Sequence, residues 1–191
     1  MAVAGADAVI AFWFGEPPVA SPRPEWFRKD AAFDAQIAQH FGVQIEAALA
    51  GGLRHWDATP EGALARIVVL DQFTRNTFRG SAKAFAGDTL ALAAARALVA
   101  RGDDRWLSGV MRQFAYLPFE HAEDRAAQAE SLRHFARLAA DHPALADALL
   151  WAQKHEVIIA RFGRYPHRNE ALGRASTPEE TAFLKEPGSS F

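Results

Sequence analysis

The chain has 191 residues, 50% of them apolar and 23% charged, with a formal net charge of −2; this is ordinary for a soluble globular protein and argues against a broadly basic nucleic-acid surface. The absence of cysteine excludes a disulfide framework, a thiolate nucleophile and a cysteine-based zinc site. The length favours one domain. No Lys or Arg precedes Arg23 to start a signal peptide, and the apolar run 90–100 carries Arg96 and is too short to span a bilayer, so a cytoplasmic protein without membrane contact is expected.

Apolar spacing near 3.6 recurs along the chain, while alternation of period two is nearly missing. The spacing predicts a short helix over Ala6–Phe14, stopped by Gly15 and Pro17-Pro18, and a long one from about Pro24 to Ala50, ended by Gly51-Gly52. Thr59-Pro60 reads as the N-cap and first position of a third helix reaching about Asn76. Further helices fit Asp88–Arg101, Asp104–Tyr116, Glu123–Ala140 and Pro143–Phe162. Thr177-Pro178-Glu179-Glu180 is a capping box opening a last short helix, and Pro187 to Phe191 is expected to fray. Short connections make successive helices antiparallel hairpins. The expected fold is all-α, one domain of seven or eight helices, with no 34-residue repeat visible.

At 100° per residue, several charged side chains fall inside apolar arcs. In the second helix Asp30 and Asp34 share the arc of Trp26, Phe33, Ile37, Phe41, Ile45 and Ala48. In the third, Asp71 lies near the centre of the arc of Leu64, Ile67, Val68 and Phe78, with Arg75 at its edge. The face of Ala127, Ser131, Phe135 and Leu138 takes in Asp124 and Gln128, and His155 lies among Trp151, Ile158, Ile159 and Phe162. A buried carboxylate must neutralise or find a partner. Arg75, Arg79, Arg161, Arg164, Arg168 and Arg174 are the candidates, because the planar guanidinium pairs carboxylates bidentately and stays charged.

Linked motifs carry a resemblance over nearly the whole chain: Phe12-Trp13-Phe14-Gly15; Trp26-Phe27-Arg28-Lys29-Asp30 with Phe33-Asp34; and Leu70-Asp71-Gln72-Phe73-Thr74-Arg75-Asn76-Thr77-Phe78-Arg79-Gly80. They continue in Leu117-Pro118-Phe119-Glu120-His121-Ala122-Glu123-Asp124, in Arg161-Phe162-Gly163-Arg164-Tyr165-Pro166-His167-Arg168-Asn169 after His155, and in Leu172-Gly173-Arg174 with Ser176-Thr177. The chain resembles the bacterial family catalogued as domain of unknown function 924. Thr74 stands where that family's signature has proline, and Ala122 where it has serine. The resemblance implies tetratricopeptide-like helical hairpins and transfers no activity.

Three functional readings compete. The first is a binding module whose polar pocket holds a small anionic ligand or acidic peptide through Arg75, Arg79, Arg161, Arg164, His167 and Arg168. The second is an acid–base hydrolase or lyase using His155 with Asp71 or Asp124. The third is a purely structural ion-pair lattice in a scaffold for protein partners. His121, Glu123 and Asp124, together with His155 or His167, invite a metal reading, but neither HExxH nor a histidine-rich spacing is present. Neither a metal nor another cofactor is therefore expected, and the three read as capping and hydrogen-bonding groups. The five tryptophans read as core.

Overall fold

The structure is a computed structural model and describes residues 4–16, 23–26 and 28–190. The proposed stop at Pro17-Pro18, Phe27 of the second motif and the terminal Phe191 lie outside those residues. All regular elements among them are helical.

Helix α1 (Ala6–Phe14) buries Val9, Trp13 and Phe14 and ends at Gly15, whose φ is 80°. Helix α2 (Ala31–Leu49) starts later than its spacing predicts. Pro24–Trp26 makes only a 3-10 turn, and the Asp30 carboxylate accepts the N–H groups of Ala32 and Phe33 at 2.9 and 3.1 Å. Asp30, expected to point into the core, is therefore an N-cap.

Helix α3 (Pro60–Val68) begins as expected, with Thr59 Oγ1 accepting the Gly62 N–H at 3.1 Å. It then widens into a π-helical segment, Val69–Phe73, before a last α turn, α4 (Thr74–Thr77). The whole π segment is buried. Thr74 Oγ1 donates to the Leu70 carbonyl at 2.8 Å, so the residue that replaces proline closes this wide turn with its own hydroxyl.

Helix α5 (Asp88–Ala100) starts hard against the π segment. A Cβ on Gly87 would sit 2.1 Å from the Leu70 carbonyl oxygen, so glycine permits the approach that brings Asp88 to Arg75. Helix α6 (Gly109–His121) is separated from the 3-10 turn Asp103–Trp106 and runs on through Pro118, past the end expected at Tyr116. Helices α7 (Arg125–Asp141) and α8 (Asp147–Phe162) follow, and α9 (Pro178–Phe183) carries the expected capping box.

Successive helices α5, α6, α7 and α8 pack on one another, and α3 packs on α1, α5 and α6. The main apolar core runs from Trp13 and Ile37 through Leu64, Leu70 and Phe73 to Phe114, Phe119 and Phe135. A small second cluster joins Ile158, Ile159 and Tyr165 to Phe162 and Phe183. Trp106 and Trp151 are exposed, contrary to the expectation that every tryptophan is core; Trp151 instead carries the Lys154 ammonium over its ring. Residues 187–190, expected to fray, turn back so that Ser189 is buried and donates to the Leu184 carbonyl. Among the described residues no helix is long and apolar enough to cross a membrane.

Candidate functional site

The π segment delivers Asp71 to the middle of the polar centre, where its side chain is 1% exposed. Its carboxylate accepts from Gln72 Nε2 at 2.6 Å, and both oxygens lie within 3.0 Å of His121 Nδ1. Arg75 Nη1 is 3.2 Å away. Burial alone would raise the Asp71 pKa, but the Arg75 charge and the His121 and Gln72 contacts outweigh it and hold the group well below the carboxylate range. Asp71 is thus an anion, and His121 Nδ1 must carry the proton it donates. Burial lowers the His121 pKa, and the nearby Arg75 reinforces this against Asp71. In the neutral form that this favours, the imidazole supports Asp71 as an N–H donor and presents Nε2 as a lone pair.

Next to His121 stands Glu120, wholly interior. Burial and the Asp71 charge push its pKa up to about 8. Its Oε1 lies 3.1 Å from His155 Nδ1, which also meets the Trp151 carbonyl at 2.9 Å. A carbonyl can only accept, so Nδ1 of His155 bears hydrogen. Burial and the neighbouring His121 bring the His155 pKa down to about 3. Glu120 and His155 therefore meet as neutral groups rather than as an ion pair. The two imidazole rings are 6.1 Å apart.

The arginine-rich loop is stapled over the end of α6. Tyr165 donates its hydroxyl to the Glu120 carbonyl and its N–H to Glu123, while Arg174 forks onto Glu123 at 2.5 and 2.9 Å. Gln128 Nε2 reaches the Glu120 and Ala122 carbonyls and the Tyr165 hydroxyl. These bonds satisfy carbonyls that a helix end leaves open and fix Glu120 and His121 in place. Arg168 Nη1 donates to Asp88 at 3.0 Å, with its guanidinium over the Phe85 and Tyr165 rings, and Arg75 forks onto the same carboxylate at 2.8 and 3.1 Å. Burial and the adjacent Arg75 charge lower the Arg168 pKa, and among the described residues its Nε has no hydrogen-bond partner.

Of the residues singled out in the sequence, Asp71, Arg75, His155, His167 and Arg168 come together. His167 lies beside the Tyr165 ring, and burial brings its pKa down to about 4. Asp124 does not join them: it is exposed and caps α7, accepting the Ala127 N–H at 2.7 Å. Arg79 forks onto Asp34, Arg161 pairs with Glu179 on the surface, and Arg164 forks onto Glu180 and reaches the Ala175 carbonyl. Nor does His155 take Asp71 or Asp124 as its carboxylate; Glu120 holds that place. Asp88 and Glu120 went unmarked in the sequence. Asp88 reads as an ordinary helix start, and Glu120 as a residue beyond a helix expected to end at Tyr116.

The family model described as "Bacterial protein of unknown function (DUF924)" matches residues 9–188. The chain belongs to that family. A solved structure of a protein of unknown function from Agrobacterium tumefaciens is 40% identical, with a TM-score of 0.82, covering 94% of this chain and 96% of that one. The curated proteins hold no match.

In this DUF924 member the signature around Asp71 and the block around His121 are two halves of one contact. A carboxylate-oriented imidazole with its Nε2 lone pair presented suits both proton transfer and metal ligation. The groups around it differ in access: the side chains of Arg75, Asp88 and His121 keep 15–20% of their surface, whereas Asp71, Glu120 and His155 keep 7% or less.

Proposed function

We propose that this protein is a cytoplasmic binding module, a tetratricopeptide-like stack of helical hairpins whose polar centre takes a small carboxylate or phosphate at Arg75 and Arg168. One observation carries the reading: these two guanidinium groups share a single carboxylate, Asp88. The other carboxylate on Arg75, Asp71, is held at the same time by His121 and Gln72. Arg75 and Arg168 thus hold one counter-ion in common, the Arg75 side chain still touches solvent, and Arg168 Nε has no hydrogen-bond partner among the described residues. A planar guanidinium fork is well shaped for oxyanions. Arg79, Arg161 and Arg164 are left out of the reading, since each is already forked or paired elsewhere.

A thermal-shift panel of phosphorylated and carboxylated metabolites on chelator-treated protein tests this. At least one anion should raise the Tm of the wild type and of Arg161→Gln, and fail to do so in Arg168→Gln. If no anion stabilises the wild type, or Arg168→Gln responds as the wild type does, the reading is wrong.

A further inference from the structure

We propose that Glu120, His121 and His155 form a binding site for one divalent transition-metal ion of the zinc kind. This goes beyond the anion reading, which needs only Arg75 and Arg168.

The first support is proximity: one ligand atom from each of the three residues can be chosen so that all lie within 4.8 Å of one another. Ligands bound at about 2.0–2.2 Å around a tetrahedral ion are separated by roughly 3.5 Å. Small side-chain rotations close that difference.

The second support is orientation. A metal-binding histidine almost always ties its other ring nitrogen to a carboxylate or a backbone carbonyl. Both imidazoles here do so through Nδ1: His121 to the Asp71 carboxylate, His155 to the Trp151 carbonyl. Each is left with Nε2 as its lone-pair nitrogen. A wholly buried aspartate whose other oxygen contacts come from Gln72 and Arg75 is an unusually firm support for one histidine.

The third support is the odd pairing of Glu120. The other carboxylates of the centre, Asp71, Asp88 and Glu123, each meet a guanidinium, whereas Glu120 meets an imidazole. A divalent ion, bound as the Glu120 carboxyl gives up its proton, would give it the cationic partner that the other three find in arginine. Two nitrogen ligands and one carboxylate are a recurrent zinc set that leaves one position open. No sequence spacing announces the site, because the ligands come from two helices: Glu120 and His121 end α6, and His155 lies in the middle of α8. Neighbours on a helix diverge by about 100°, and the packing of α8 against the end of α6 lets His155 serve both.

The test uses the full chain, stripped with chelator, and zinc or cobalt(II) alone. Titration calorimetry should give one ion per chain, and cobalt(II) should show the strong visible bands of four-coordination. Glu120→Gln and His155→Ala should lose binding by tenfold or more. Asp71→Asn, which only positions His121, should weaken it about 10- to 100-fold. Circular dichroism confirms that each variant is folded. As a check free of variants, zinc should shift the imidazole NMR signals of two histidines in the wild type. Absence of saturable uptake, unchanged uptake in Glu120→Gln and His155→Ala, or an unmoved pair of imidazoles overturns the proposal. Anion stabilisation of chelator-treated protein, with no metal uptake, would remove this inference and leave the anion reading standing; metal uptake with no anion response would do the reverse.

Discussion

Asp71 and His121 are 50 positions apart in the chain, yet both oxygens of the one lie within 3.0 Å of Nδ1 of the other. The contact ties the π segment to the end of α6, and Arg75 joins it from one turn further on. Replacing Asp71 by Asn would leave the Arg75 and His121 donors without their anion. Breaking a buried pair from one side costs about 3–5 kcal/mol. We expect Asp71→Asn to lose roughly 3 kcal/mol in urea unfolding, the lower end, since the amide still accepts a hydrogen bond. A loss below about 1 kcal/mol would mean that the contact carries no weight in the fold.

Asp124 should behave differently. Its carboxylate caps α7 from an exposed position, so Asp124→Ala should cost about 1 kcal/mol, the usual loss for an N-cap. Metal and anion binding by the folded variant should match the wild type. A selective loss of either would return Asp124 to the site.

Gly87→Ala tests the approach of α5 to the π segment. The added methyl would meet the Leu70 carbonyl at 2.1 Å, a contact that only backbone movement can relieve. Overpacking of this kind costs about 1–3 kcal/mol. Because the shift would carry Asp88 away from Arg75 and Arg168, anion stabilisation should weaken together with Tm. An unchanged Tm would show that the helix start yields freely.

Acid should loosen α9 through Glu180. Hydrogen bonds from Arg164, then the Thr177 N–H and the Arg164 charge, bring its pKa down from 4.5 to about 2. A depressed folded-state pKa contributes stability that is fully present above the ordinary value and is lost as pH falls through the folded one. The loss should therefore develop between pH 4.5 and pH 2. In Glu180→Gln the Tm should be flatter across that window, while proteolysis within residues 178–183 marks the release of the helix. An equally steep acid limb in the variant would assign the effect to other carboxylates.

Much of the helical plan could be read from apolar spacing, as could the inward direction of Asp71, Gln128 and His155. The same projection placed Asp30 and Asp124 at inward angles and gave the wrong inference. A carboxylate just ahead of a helix is drawn to its unpaired N–H groups whatever its angular position. Glu120 was missed and His121 was read as a capping group because the helix was expected to end at Tyr116, whereas α6 carries Pro118 inside it and reaches His121. Arg75 falls one helical turn from Asp71 and that pairing could be read, but the long-range partners of the arginines could not. Arg168 meets Asp88 across 80 positions and Arg174 meets Glu123 across 51, and no local pattern encodes such pairings.

The wide turn at Val69–Phe73 amounts to an α-helix with one residue too many. Each residue advances a helix by about 100°, so the surplus acts as a fixed rotation between α3 and α4. Removing one residue there would shorten the chain trivially but re-aim everything downstream. Arg75 would turn from Asp88, and Asn76 and Arg79 would turn from Asp34. The segment is a gear setting: it lets one continuous helix serve the apolar core with its first half and the charged centre with its second.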